Sequence, residues 1–289
     1  MPGLVAVSLR IAAGVHVEEG PAVATAALVA EYDAANVTPG ATTWTDSVGT
    51  KNGSFNNPAV VVAGDPSPTG IDGAVVFNGS TTVSLSGGGF NPNPDAATVE
   101  IWVKPALDGD GNPLGGVLFE TGGSASGLMV GINDALPGSP AADNANSIVA
   151  AVGGTASADG KQILSNAPDF SAFDDFIQIV FATGADGSKL YLNGALVASD
   201  ATVNDSWAGA NGAAIGGIGA GNLGAGGNIA NTIVPNAQFS GEIGLVRFYS
   251  AALSDAEVVD TYNAIVPEPG AVGMIGAGAF GGLVRRKRR

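Results

Sequence analysis

Residues 97–105 read ATVEIWVKP, and residues 176–199 read FIQIVFATGADGSKLYLNGALVAS. In the first stretch Val99, Ile101 and Val103 share one face of an extended chain, while Glu100, Trp102 and Lys104 share the other. That alternation predicts a strand. In the second, residues 176–183 are almost continuously apolar, which predicts a strand buried on both faces. A turn at 184–187, a short run at 189–192, an Asn193-Gly194 turn and a run at 195–199 complete a three-stranded meander.

Working outward, the same pattern recurs. Residues 27–32 predict a first strand, followed by 42–53 with Trp44, Asp46 and a turn at 51–53. Residues 73–85 predict a hairpin about Asn78-Gly79, and residues 117–121 and 127–132 a second one. Residues 133–146 are turn-forming and predict a surface insertion; 147–152 and 162–165 predict short strands. A polar loop at 200–212 carries Trp207; 213–218 suit a strand, 219–237 a long Gly- and Asn-rich mobile loop, and 239–249 the last strand. Ser254-Asp255-Ala256-Glu257 has the form of a capping box, so a helix follows to about Ala264.

Composition agrees. The chain has 289 residues with 45 glycines, 13% charged residues, no cysteine and a net charge of −15. It is long enough for a substantial core without disulfides. An acidic body disfavours nucleic acid and anionic lipid as partners. Many short strands and a single late helix predict an all-β fold: an antiparallel two-sheet jelly-roll sandwich with one short C-terminal helix, followed by a short apolar tail helix.

Four stretches in order, the Asn78-Gly79 hairpin, ATVEIWVKP, the meander with KLYLNGALVAS and FSGEIGLVRFYSAALSDAEV, together resemble the laminin-G-like, concanavalin-A-like jelly-roll family. The resemblance spans residues 28–264, within a domain of 27–264. It implies a β-sandwich that binds glycans or proteins, with glycosidase chemistry in some members. Relatives with a polar or calcium site near the last strand carry an acidic pair after Gly-x-Ile. Gly244 and Leu245 stand there instead, which argues against an acidic site on that strand. Arg247 and Tyr249 match the pattern in a structural role.

The two ends have their own logic. Residues 266–289 read VPEPGAVGMIGAGAFGGLVRRKRR. Pro267 and Pro269 hold the chain extended around Glu268. The apolar run 270–284 spans ~22 Å as a helix, short of the roughly 30 Å hydrocarbon core, and its Gly and Ala content suits temporary insertion. Arg285, Arg286, Lys287, Arg288 and Arg289 then form a stop-transfer block. Residues 265–289 resemble the PEP-CTERM sorting signal, with Pro267, Glu268 and Pro269 as its motif. The resemblance implies Sec-type export, recognition by an exosortase and removal of the tail. A tail anchor is the plainer alternative. Residues 1–26 form an atypical export segment: Arg10 interrupts the apolar run, and Glu18 and Glu19 fall where a cleavage region is normally neutral. A plain strand at 5–17 fits the same residues.

Catalytic signals are sparse. His16 is the single histidine, and no thiol exists for a Cys-His pair or a thiolate zinc site. Glu100 and Glu120 are the strand carboxylates that could approach each other as a glycosidase requires, but solvent-facing or ion-paired strand carboxylates are the favoured reading. Asp108, Asp110 and Asn112 resemble the start of a calcium loop, but Pro113 and Phe119 break the pattern and favour a polar turn. Asp46, with Asn52, is a second candidate for structural calcium. Trp207, with Asn204, Asp205 and Asn211, has the composition of a sugar-stacking loop; an indole folded back on the core is the alternative. The Gly-x-Gly-x-x-Gly strings at 219–224 and 276–281 lack a strand–turn–helix context. The sequence therefore predicts an exported cell-surface or matrix protein with a non-catalytic sandwich that binds polysaccharide or a surface protein. An extracellular glycan hydrolase or lyase is the alternative.

Overall fold

The computed structural model describes residues 26–63, 69–85, 96–122, 127–133, 146–153, 162–204, 213–217 and 238–266. Two eight-stranded sheets form a sandwich. Sheet A runs β14 (Ala195–Asp200), β13 (Gly187–Leu192), β12 (Ile177–Gly184), β7 (Ala97–Pro105), β16 (Ser240–Tyr249), β5 (Gly73–Asn78) and β4 (Val61–Ala63), with β1 (Leu28–Asp33) also paired on β16. Sheet B runs β11 (Gln162–Asn166), β10 (Ser147–Gly153), β9 (Gly127–Asn133), β8 (Gly116–Gly122), β15 (Ala213–Ile215), β6 (Val83–Leu85), β3 (Gly53–Phe55) and β2 (Thr43–Trp44). The neighbours within each sheet pair antiparallel.

The period-two pattern of β7 fixes its orientation. Val99, Ile101 and Val103 enter the core between the sheets, opposite Phe181, Ile179 and Ile177 of β12. Phe119 of sheet B reaches Phe248 of sheet A, with ring centroids 5.8 Å apart. Toward one edge Trp44 stacks on Phe55 at 6.0 Å and meets the edge of Tyr32. Such rings remove large apolar areas from water, the main stabilising term of a sandwich. Every residue of β12 is buried, as its unbroken apolar run predicts, and the β12–β13–β14 meander and the β8–β9 hairpin form as expected.

One predicted hairpin is instead a corner. β5 and β6 flank Asn78-Gly79 but lie in different sheets. Both sides of β5 are already occupied, by β16 and β4, so the chain crosses over and β6 pairs with β3 and β15. Asn78 builds the crossing: its Oδ1 accepts from Ser80 N, Thr81 N and both hydroxyls at 2.7–3.2 Å. Gly79 takes φ +77°, which a residue with a Cβ adopts at a cost. The sequence reading also passed over the edge strand β4.

Helix α1 (Asp255–Ile265) begins with the full capping box: Ser254 accepts from Glu257 N, and Glu257 accepts from Ser254 N. It packs on the outer face of sheet A. Tyr262 stacks on Trp102 with centroids 5.8 Å apart and planes 9° from parallel. Ile265 and Val266 rest on Ile71, Ala74, Trp102, Phe176 and Leu245. Gly244 makes this packing feasible, because a Cβ there would lie 2.4 Å from Ile71. The expected segment 1–26 lies, apart from Ala26, outside the described residues, as do the sorting motif and tail helix. Among the described residues no helix is long and apolar enough to cross a membrane.

Candidate binding site

Two arrangements on the outer face of sheet A decide what that face can do. The first is a closed polar ladder. Glu31, Arg247 and Glu100 sit side by side across β1, β16 and β7. Arg247 Nε donates to Glu31 Oε2 at 2.7 Å, and its Nη1 lies 3.8 Å from Glu100 Oε2. Glu100 is fully buried. Its Oε1 accepts from Trp102 Nε1 at 2.9 Å and Gln178 Nε2 at 2.8 Å, and its Oε2 accepts from Tyr249 Oη at 2.8 Å. Gln178 Nε2 also reaches Thr261 Oγ1 on α1 at 3.0 Å. Burial works against charge on Glu31, but hydrogen bonds from Ser47 and Arg247 outweigh it and hold the carboxyl below its ordinary pKa. Burial opposes the Arg247 cation as well; the facing Glu100 and Glu31 reverse that and raise its pKa. Burial, and then Glu100, push the Tyr249 phenol up. None of the buried side-chain polar atoms described here is left without a partner, and Gln178 ties the ladder to Thr261 of α1. Arg247 and Tyr249 have the structural role their family match implied.

The second arrangement is open. Where α1 stops short, the β12–β13 hairpin, the end of β14 and residues 252–253 enclose a cleft of about 500 Å³. Ala182, Ala252 and Leu253 give it an apolar floor; Asp186, Lys189, Ser199 and Asp200 supply polar groups at its walls. Gly187 is essential to its shape, with φ +111° and the Ala201 backbone 2.5 Å from where a Cβ would sit. Lys189 and Tyr191 both donate to Asp255 Oδ1, at 2.5 and 2.8 Å, which ties the cleft to the first turn of α1. The Lys189 bond, then that from Tyr191, hold the Asp255 carboxyl below its ordinary pKa. Both donors and acceptors line an apolar floor, a combination suited to a hydroxyl-rich ligand with carbon faces.

Asn204 belongs to this neighbourhood: it is exposed, and its Nδ2 donates to Ala185 O on the hairpin at 3.3 Å. Asp205, Trp207 and Asn211 lie outside the described residues. Asp46 is buried away from the cleft. Its Oδ1 accepts from the backbone N–H of Glu31, Val48 and Gly49, and its Oδ2 from Lys51 N, at 2.9–3.1 Å. Burial alone would raise its pKa; those four donors lower it. Asp108 closes its own turn, accepting from Asp110 N at 2.9 Å and from Asn112 N at 2.8 Å, with the Asn112 bonds chiefly holding its carboxyl below the ordinary range. Asn112 in turn receives Asn146 Nδ2 at 2.8 Å. Among the described residues no three His, Cys, Asp or Glu side chains converge in a way that could hold a metal.

Glu100 and Glu120 do not meet. Glu120 pairs with Met129 and Ala214 on the outer face of sheet B, while Glu100 lies on the outer face of sheet A. The two carboxylates point away from each other across a core about 10 Å thick. The cleft went unnoticed in the sequence because its walls are short, ordinary side chains from four separate stretches.

Residues 77–259 match the concanavalin A-like lectin/glucanases superfamily. The chain belongs to that superfamily. Residues 266–289 match the PEP-CTERM protein-sorting motif, which marks the protein as exported and displayed at the cell surface. No curated protein matches the chain. Among solved structures, domain 4 of AbnA, an extracellular arabinanase from Geobacillus stearothermophilus in complex with arabinotriose, has a TM-score of 0.52 at 19% identity, over 81% of this chain and 98% of that one. The receptor-binding domain of botulinum neurotoxin type G has a TM-score of 0.52 at 13% identity, over 82% and 51%. A structure of botulinum neurotoxin type C, described as depending on two ganglioside molecules for cell entry, has a TM-score of 0.54 at 12% identity, also over 82% and 51%. The chain thus spans about half the length of the toxin domains it matches. At these identities the likeness is one of fold.

Proposed function

We propose that this protein is a non-catalytic glycan-binding module of the exported cell surface, and that it takes its ligand in the cleft beside the β12–β13 hairpin. The observation that carries this reading is the cleft itself: an open, preformed space of about 500 Å³ with an apolar floor and Asp186, Lys189, Ser199 and Asp200 at its walls. Sugars bind through that mixture, hydroxyls on the polar groups and C–H faces on apolar ones. Asn204 bonds to Ala185 on the hairpin that walls the cleft, and Asp205 and Trp207 follow it in sequence. Solved sandwiches of this fold are described with arabinotriose, with gangliosides and with the protein synaptotagmin II, and the first two support a glycan ligand. The opposed directions of Glu100 and Glu120 favour binding over hydrolysis. The tail serves export: an exosortase removes it at the Pro267-Glu268-Pro269 motif after Sec translocation and transient membrane insertion.

The test is retention of the native protein on immobilised polysaccharides, including those of its own cell surface. Retention that weakens in Asp186→Ala supports the reading; no retention on any polysaccharide contradicts it.

A further inference from the structure

Among the described residues, Lys189 is the one cation that lines the cleft, and its charge is already matched. Its Nζ donates to Asp255 Oδ1 at 2.5 Å, and Tyr191 Oη donates to the same oxygen at 2.8 Å. Asp255 does not line the cleft; it opens α1 directly after the capping residue Ser254. The two anions of the lining have no such counter-ion. Asp186 stands in the short turn between β12 and β13, and Asp200 ends β14 opposite Ser188. Among the described residues neither forms an ion pair. Asp200 Oδ1 accepts instead from Thr202 Oγ1 and Thr202 N, both at 2.7 Å, and these bonds, the hydroxyl first, hold its carboxyl below the ordinary pKa.

The cleft therefore offers a ligand net negative charge, although it contains a lysine. To a neutral sugar, Asp186 and Asp200 are hydrogen-bond acceptors for hydroxyl groups. A carboxylated or sulfated sugar meets two like charges there and must compete with Asp255 for Lys189. The surrounding body raises the same barrier, because residues 27–264 include 23 Asp and Glu against 5 Lys and Arg. An acidic polymer approaches against that whole field, and like charges brought together across an interface suppress a partner.

We propose that the cleft takes uncharged polysaccharide and turns away acidic ones, and that Asp255 sets this selectivity by neutralising Lys189. This inference rests on the proposal that the cleft binds a glycan. Asp255 acts through Lys189 and touches no ligand itself. The pair is exposed on both sides, so it contributes little to stability, and its loss is read in selectivity rather than in folding. Without the Asp255 charge, Lys189 becomes an unmatched cation on the cleft wall, and a sugar carboxylate gains the partner it otherwise lacks.

The experiment measures retention of the full chain on immobilised glucan, galactan, mannan and arabinan, each in hydroxyethylated and carboxymethylated form at the same low substitution, so that the two forms differ chiefly in charge. The readout is the ratio of affinities for the carboxymethylated and hydroxyethylated forms of whichever polymer retains the protein. The native chain is expected to bind the carboxymethylated form at least about fivefold more weakly. Asp255→Asn keeps an acceptor of the same shape and is expected to raise the ratio about fivefold. Asp186→Asn, within the cleft, should raise it by a similar factor and carries the test if Asp255→Asn fails to fold. Asp72→Asn removes an exposed charge next to Ile71, under the far end of α1, and is expected to leave the ratio unchanged. Equal native affinity for the two forms overturns the selectivity while leaving glycan binding intact. A ratio moved as far by Asp72→Asn as by Asp255→Asn also overturns it, since overall charge then accounts for the effect. A ratio unmoved by Asp255→Asn overturns the role of that residue. Retention on no polymer in either form refutes glycan binding itself, and the selectivity falls with it.

Discussion

On the inner face of sheet A, Val99, Ile101, Phe181 and Val246 meet sheet B through apolar contact alone. On the outer face of the same strands, Thr98, Glu100 and Gln178 are just as thoroughly buried; Glu100 and Gln178 are joined by hydrogen bonds to Trp102, Tyr249 and Thr261, and Thr98 to Ala251 O and Leu253 N. The inner face is held by area and volume, which are non-directional and tolerant of swaps that conserve size. The outer face is held by matched polar partners, which are directional and punish a single deletion, because the remaining groups stay buried without a partner. A sandwich core can be built either way; only the second way fixes where a helix must sit.

Substitutions separate the two regimes. Phe181→Ala on the inner face is expected to cost about 3–5 kcal/mol in urea unfolding, through lost burial and a cavity. Glu100→Ala on the outer face should cost about 3 kcal/mol without removing much apolar area, because Trp102, Gln178, Tyr249 and Arg247 lose their shared acceptor. Glu100→Gln, of the same shape, should recover part of that loss. If it instead matches Glu100→Ala in full, charge rather than hydrogen-bond geometry fastens the outer face.

The Asp46 loop repeats the outer-face logic near the sandwich edge. Its folded pKa is lowered from 3.8, so its contribution is complete above that value and is lost as pH falls through the lower folded value. Asp46→Asn should cost about 2 kcal/mol at neutral pH and flatten the acid limb of a stability–pH profile. An unchanged acid limb would place the sensitivity elsewhere, with Glu31 the next candidate. The smallest effect is expected at the Lys189–Asp255 pair, whose side chains are 43% and 61% exposed. Lys189→Ala should shift stability by no more than about 0.5 kcal/mol in thermal melts, since exposed pairs are screened and entropically costly.

What the sequence made legible follows the range of the forces involved. The all-buried β12, its two turns and the capping box at Ser254 are local features, and all are present. The corner at Asn78-Gly79 read as a hairpin because the local turn chemistry is the same; which sheet receives β6 depends on β16 and β4 having taken both sides of β5. The burial of Glu100 is hidden for the same reason: its partners Gln178 and Tyr249 arrive from distant parts of the chain. Asp46 and Asp108 were noticed for their oxygen-rich neighbourhoods, yet those oxygens chiefly accept N–H groups within their own loops. The loop with Trp207 stands out by composition alone; its described member, Asn204, bonds to Ala185 O on the β12–β13 hairpin.

The outer face of sheet A is thus used twice, covered by α1 over Trp102, Gln178 and Leu245 and left open beside the β12–β13 hairpin. Glycan binding in that opening is the central claim. It is tested most directly by titrating the polysaccharide that retains the native protein against Asp186→Ala/Ser199→Ala, two exposed positions that line the cleft. The account predicts an affinity at least about tenfold weaker with an unchanged melting temperature. Equal affinity in the native and doubly substituted proteins would contradict it.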